Sequence, residues 1–375
     1  MTTKQPAQRT RPWGLGLAGV AIGLALAFNA GSLQAAWSSN YAYLRLDALL
    51  NRARGLTSFQ AKGRAEDWPP LAGADSARFV AAYGLGLTEL SLGHDPEAVS
   101  ALQAALAAYP QFSGTHALLG DAYYAMGETS QAVHEWQAAQ ALPLLMGRGA
   151  TSGKTGDWIA AINWDRLATQ VDPQSAGAYW QLGLAYGAAG QGPAQIEALR
   201  TAVSLSPADF QIRYALGLAY WRQGDPAAAA AQFERVLAIR PNEFYTNLYL
   251  ASIELSLGNL DAAEAYARKS IQLSPANPRT HFALGSVKAR RAQWPAAIDE
   301  LKNAVDLIEP WNRQSDTLLS KTDQISYWLA LAQAYRSGGQ SALAIGAYQA
   351  VLKLNPKNAA ASAALTALPT PGQLK

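Results

Sequence analysis

The chain has 375 residues and not one cysteine. That excludes disulfides, thiolate metal sites, a cysteine nucleophile and a lipid-modified N-terminal cysteine. Histidine is scarce too. His94, His116, His134 and His281 lie far apart and none is four residues from another, so no helical metal-binding pair is offered. Charged residues make up 15% of the chain, against about 25% in an ordinary globular domain. They are mixed in sign, leave a net charge of +3 and form no long basic run, which argues against a nucleic-acid partner. No paired carboxylates, nucleophile constellation or metal spacing stands out. The expectation is therefore a non-enzyme with no cofactor and no metal. What the chain has in quantity is apolar: 50% of its residues are hydrophobic. Alanine and leucine dominate and β-branched residues are few, a composition that favours helix.

Residues 1–12 are polar and carry Lys4, Arg9 and Arg11. An uncharged run follows, WGLGLAGVAIGLALAF over residues 13–28, and continues more weakly to Tyr43. A helix rising about 1.5 Å per residue needs about 20 mostly apolar residues to cross about 30 Å of hydrocarbon. Residues 13–37 supply that length, with Trp13 and Trp37 placed for the two interfaces. The expectation is a transmembrane signal anchor over 13–37 behind a cytoplasmic tail over 1–12. A cleaved signal peptide is the competing reading, with residues 15–28 as its apolar region. Gln34, at −3 for cleavage after Ala36, counts against it. A buried soluble helix is a third. The basic residues before the span keep the N-terminus in the cytoplasm, although Arg45, Arg52 and Arg54 after it weaken the bias. The rest of the chain is then expected outside the cytoplasm. Residues 38–78 read as an N-terminal helix, YAYLRLDALLNRARG, followed by a loop.

A regular interval runs through the remainder. Pro173, Pro207, Pro241 and Pro275 stand 34 residues apart, and Pro110, Pro143, Pro310 and Pro356 extend the series less evenly. Gly156, Gly190, Gly224 and Gly258 keep the same spacing, as do Ala229, Ala263 and Ala297. The spacing has a physical reading. Each unit is two helices. Small residues at the eighth and twentieth places let them approach, and glycine near the fifteenth suits the left-handed turn that ends a helix. An aspartate after it, as in Gly224-Asp225-Pro226, caps the next helix, with proline in its first turn. The closing proline stops the second helix. One such pair cannot bury its apolar face alone, so pairs stack. Units start near Phe79, Ser113, Leu142, Ala176, Phe210, Phe244, Pro278 and Ile325. WNRQSDTLLSKTDQ, residues 311–324, is an insert read as a surface loop or an extended helix turn. Residues 357–375 read as a capping helix and a frayed tail.

Tyr179, Leu182, Gly183, Tyr186, Gly190, Leu199, Ala202 and Pro207 in one unit resemble the tetratricopeptide repeat. So do Leu216, Gly217, Tyr220, Gly224, Ala229, Phe233 and Pro241 in the next, and Trp328, Leu331, Ala332, Tyr335, Gly339, Ala344, Tyr348 and Pro356 in the last. The resemblance covers about residues 79–356 in about eight units. It implies an all-α fold, a right-handed solenoid of stacked antiparallel helix pairs, here preceded by a single transmembrane helix. It also implies that the fifth and twelfth places of each unit face the concave groove. Those places include Tyr83, Tyr124, Trp180, Tyr214, Trp221 and Phe282, which either anchor a partner or pack between units. The groove Lys and Asn set with which some members bind C-terminal carboxylates is absent. The expected function is a membrane-anchored scaffold for protein partners in cell-envelope assembly. The alternatives are a carbohydrate-binding accessory factor of envelope polysaccharide biogenesis and a P-loop nucleotide enzyme.

The last alternative rests on GRGATSGKTGDW, residues 147–158. A phosphate loop needs glycine, four residues, then Gly-Lys-Thr, and the place of the first glycine is taken by Arg148. No strand pattern precedes the run. Pro143 to Gly156 is four residues shorter than Pro173 to Gly190. The stretch therefore reads as a first helix short by about one turn and loosened by glycine.

Overall fold

The computed structural model describes residues 74–315 and 318–368. The expected tail, span and N-terminal helix lie outside them. Among the described residues no helix is long and apolar enough to cross a membrane, and all regular structure is helical. Helices alternate as first and second members of pairs: α1 (Ala74–Leu92) and α2 (Asp95–Ala108), α3 (Ser113–Ala125) and α4 (Thr129–Ala138), α5 (Leu142–Lys154) and α6 (Trp158–Val171); in chain order α7 (Ala176–Ala188) and α8 (Gly192–Leu205) follow. The series continues with α9 (Phe210–Arg222) and α10 (Pro226–Ile239), α11 (Phe244–Leu257) and α12 (Leu260–Leu273), α13 (Pro278–Arg290) and α14 (Trp294–Asp306). A short α15 (Ile308–Gln314) precedes α16 (Lys321–Ser337), α17 (Ser341–Leu354) and α18 (Ala359–Ala367). The chain divides into two compact units at Gly190 and Gln191. Within the first, α1 packs on α2, α2 on α3, α3 on α4, α5 on α6, and α6 on α7. Within the second, each helix from α8 to α14 packs on the next, then α14 on α16, α16 on α17 and α17 on α18.

The turn inside a pair is set by local chemistry. After α9, Gly224 has φ 78°, a conformation that costs an L-residue about 1–2 kcal/mol. Its N–H donates to the Trp221 carbonyl at 3.1 Å, and the Asp225 N–H to that of Tyr220 at 3.0 Å. These bonds satisfy carbonyls the helix end would leave open. The Asp225 carboxylate then accepts from the Ala228 N–H at 3.0 Å and caps α10. Ala292 holds the same place between α13 and α14 at φ 55°, with no glycine to relieve it. Most second helices end because a proline follows. The residue before it is pushed out of the helical region, as at Ser206 (φ −134°, ψ 75°) and Asn355 (φ −138°, ψ 93°).

The eighth-place glycines are where the two helices of a pair meet. A Cβ on Gly217 would stand 2.9–3.1 Å from the Phe233 ring, and one on Gly285 would stand 2.7 Å from Leu301 Cγ. On Gly120 it would overlap the fully buried indole of Trp136. Successive pairs are also joined by a recurring polar clasp at the fourth place. His116 Nδ1 faces the Glu135 carboxylate at 2.6 Å while Nε2 faces the Pro110 carbonyl at 3.2 Å. His281 repeats this with Glu300 at 2.7 Å and Pro275 at 2.9 Å. Arg213 does the same by donating to the Pro207 carbonyl at 2.7 Å and to Gln232 at 3.4 Å. In each case a side chain on a first helix ties its own second helix to the turn before the pair.

Three expectations change. First helices begin at Ser113, Leu142, Ala176, Phe210, Phe244 and Pro278, but the end pairs start earlier, α1 at Ala74 and α16 at Lys321. The missing turn is not in α5, whose 13 residues equal those of α7 and α9. It is missing from α4, which has 10 residues where α6, α8 and α10 have 14. The reason is Pro143, which sits in the first turn of α5 instead of closing α4. With no proline to stop it, α4 ends on Gln140 at φ 51°, whose N–H donates to the Gln137 carbonyl at 3.0 Å. The insert at 311–324 is helical at both ends. α15 continues from α14, and Ser320 and Asp323 form a reciprocal capping box for α16.

Candidate functional site

The run SGKT lies at the wrong end of its helix for a phosphate site. Ser152, Gly153 and Lys154 are the last residues of α5, and Thr155 is its C-cap. Backbone N–H groups free to bind phosphate are found at helix N-termini. At a C-terminus the open groups are carbonyls and the macrodipole is negative. Gly156 makes the left-handed turn at φ 80°, and Asp157 caps α6 by accepting from the Ala160 N–H at 3.0 Å.

The chemistry of this pair sits elsewhere, at two places passed over in the sequence. Arg148 occupies the seventh place, where Leu182, Leu216, Leu250 and Leu284 stand in other units. Asp165 occupies the twenty-fourth, where Leu199, Phe233 and Leu301 stand. A break in an otherwise apolar column was the available signal. Arg148 donates to both carboxylate oxygens of Asp121 on α3, at 2.8 and 2.7 Å, the bidentate geometry a guanidinium favours. The Trp136 indole N–H donates to the same carboxylate at 3.2 Å. The guanidinium lies over the Trp164 ring at 4.9 Å, within cation–π range. Trp164 in turn meets Tyr124 at 5.0 Å and Trp136 at 6.3 Å.

Asp165 is 1% exposed. It fits because residue 149 is glycine, at which a Cβ would overlap its carboxyl group. Gln181 Nε2 on α7 donates to Asp165 Oδ1 at 2.8 Å and to the Met146 carbonyl at 2.6 Å. One amide thus ties α5, α6 and α7 together. Burial pushes the Asp165 carboxyl up to about 7, and the Gln181 hydrogen bond offsets only part of that rise.

The six aromatic residues expected in the groove are all half-buried. Tyr83 stacks on Phe79 at 5.6 Å and meets Phe112 edge-on at 5.5 Å. Tyr124 belongs to the cluster with Trp136 and Trp164. Trp180 keeps its indole N–H buried, with no acceptor among the described residues. Tyr214 meets Phe233 at 5.5 Å and Tyr249 at 6.2 Å. Burial raises its phenol above the usual range, and the nearby Tyr249 and Glu243 add to the shift. Trp221 packs against the same apolar cluster. Phe282 stacks on Tyr327 at 4.4 Å, joining α13 to α16. Tyr214 and Phe282 therefore tie one first helix to the next, while Tyr124 meets rings on α4 and α6. In the second unit α11 also lies against α13 and α13 against α16, so the first helices form a layer.

Stacked two-helix units with glycine turns, small residues at the pair interface and aromatic links between first helices define a helical-repeat protein. Residues 214–278 and 325–358 match the family descriptions of the tetratricopeptide repeat, and the chain carries tetratricopeptide repeats there. No curated protein sequence matches it. Its fold is similar to that of PilW, described as a widely conserved type IV pilus biogenesis factor. That structure is 20% identical, with a TM-score of 0.50, over 61% of this chain and 98% of that one. MamA from Desulfovibrio magneticus RS-1 is 21% identical, with a TM-score of 0.43, over 49% of this chain and 97% of that one. YrrB, described as a TPR protein with an unusual peptide-binding site, is 16% identical, with a TM-score of 0.41, over 44% and 84%.

Proposed function

We propose that this chain is a membrane-anchored scaffold of the cell envelope that holds a protein partner along the layer of its first helices. The observation that carries the reading is the face these helices turn away from their second helices. On α11 it bears Tyr245, 44% exposed, with Leu248 and Ser252, while Thr246, Leu250 and Ile253 are buried. Beside it stand the half-buried rings of Tyr214, Trp221 and Phe282. Rigid aromatic groups with one face packed and one face open are favoured anchors for a bound segment. The envelope assignment rests on the uncharged run over residues 13–37. The test is a photo-crosslinking residue at position 245 or, as a control on a second helix, at position 159, in the full chain in native membranes. A discrete protein adduct from position 245 and none from 159 is expected. The same adducts from both positions, or none from either, would sink the scaffold reading. Release of the chain from membranes by alkaline carbonate would remove the anchor.

A further inference from the structure

The first helices of the second unit are chemically one-sided. α13 displays Arg279, Phe282, Ser286 and Arg290 at steps of three or four residues, which is one helical face. Its buried residues, Thr280, Ala283, Leu284 and Val287, lie on the other. The corresponding faces are Tyr214, Leu218, Trp221 and Arg222 on α9, and Ser326, Leu329, Gln333 and Arg336 on α16. Together with α11 these faces carry four arginines and no carboxylate. The two acids on these helices are engaged elsewhere. Glu254 is buried and accepts from Asn259 at 2.7 Å, and Asp323 belongs to the capping box of α16.

Several other cations of this unit are paired, although Arg200, Arg235, Lys269 and Lys353 on second helices are not, among the described residues. Lys288 pairs with Glu264 at 2.8 Å, Arg268 with Glu264 at 2.7 Å and Lys302 with Asp306 at 2.6 Å, while Arg291 pairs with Asp261. Arg222, Arg279, Arg290 and Arg336 form no ion pair among the described residues. Three of them are exposed, and Arg279 is half-buried.

Three of the four stand in the last turn of their helices, where the macrodipole favours a cation by about 0.3–1 kcal/mol. That does not explain the distribution. Among second helices with the same dipole, α8, α10, α12 and α14 have no basic residue in their last turns, while α17 has Lys353 there. What sets the layer apart is that its exposed arginines share their face with no carboxylate. The first unit differs, because Arg148 on its first helices is already consumed by Asp121.

We propose that the first-helix layer of residues 210–337 binds an acidic protein segment, with Arg222, Arg279, Arg290 and Arg336 reading its carboxylates and Tyr245 and Phe282 its apolar side chains. This rests on the scaffold reading and adds the chemistry of the partner. Guanidinium groups spaced among tyrosine, phenylalanine, leucine and serine suit a segment with alternating acidic and apolar residues. A nucleic acid is less well matched, since its evenly charged backbone calls for a clustered basic stripe and here four arginines are spaced among apolar residues.

The experiment uses the full chain in detergent and three fluorescein-labelled peptides of equal length. One alternates Asp and Glu with Phe and Leu, one has Gln at each acidic position, and one has Lys there. Single-stranded oligothymidine is the fourth probe. The acidic peptide is expected to bind at least about tenfold tighter than the Gln peptide, with affinity falling as salt rises from about 0.05 to 0.5 M. Arg279→Glu with Arg290→Glu abolishes that preference, while Arg200→Glu with Arg235→Glu, on the exposed faces of α8 and α10, leaves it. Equal binding of acidic and Gln peptides overturns the acidic assignment and spares the scaffold. So does preferential binding of the Lys peptide or of oligothymidine. Loss of preference in the control variant as well reduces the effect to net charge and also overturns it. The scaffold reading fails separately, by the crosslinking result at position 245.

Discussion

Asp165 sets a pH dependence that can be calculated. Its carboxyl is raised from an ordinary 3.8 to about 7 in the folded chain, chiefly by burial. Between those values the folded state holds a proton that the unfolded state has released. Stability therefore falls as pH rises through this window and is flat on either side. At 1.36 kcal/mol per pH unit, about three units amount to about 4 kcal/mol at most. The sign is opposite to that of an ion-paired carboxylate, whose contribution is lost as pH falls. Removing the titrating group isolates the term. In Asp165→Asn, opening of α5, α6 and α7 should no longer grow easier between pH 4 and 7. The wild-type chain should lose about 1.4 kcal/mol per pH unit relative to that variant. Asp165→Leu, which restores the residue found at 199 and 301, should behave in the same way. Hydrogen exchange of the α6 and α7 amides, corrected for the intrinsic pH dependence of exchange, reads the opening free energy directly. If both variants follow the wild-type curve in parallel, the buried carboxyl does not titrate as its surroundings require, and the reasoning fails.

Further expectations concern packing and turns. Gly120→Ala forces the Trp136 ring to move; overpacking of about 1–3 kcal/mol outweighs the helix gain of about 0.5–1 kcal/mol, so protection in α3 and α4 should fall. Gly346→Ala on α17 meets nothing within 4 Å and should instead stabilise its pair by about 0.5–1 kcal/mol in the same exchange measurement. Ala292→Gly relieves a left-handed alanine and should gain about 0.5–1 kcal/mol, visible as slower opening of α13 and α14; no gain would mean the turn is not strained. His281→Ala removes the clasp to Glu300 and Pro275 and should cost about 1–2 kcal/mol. His281→Arg should recover most of that loss, since Arg213 makes the equivalent bonds.

Much of the fold was legible because a tetratricopeptide repeat writes its local rules into single residues. Gly224 needs no tertiary information to turn left-handed, Asp225 needs none to cap, and a proline at 207 or 241 stops a helix wherever it folds. Six first helices start where the interval in the sequence places them for that reason. The site was less legible. Tyr214 and Phe282 stand out by their place in the unit, yet the rings they meet, Tyr249 and Tyr327, lie 35 and 45 residues away. Nothing local in the sequence announces such a partner.

The sequence by itself thus determined the two-helix unit, its turns and its repetition, because backbone conformation and capping act over four or five residues. Tertiary structure decided which charges are spent and which are available. Arg148 is held by Asp121, 27 residues before it, and Asp165 by Gln181, 16 residues after it. Arg279 and Arg290 meet no such partner among the described residues. That distinction is one of distance in space, and only the packing of one helix on another creates it.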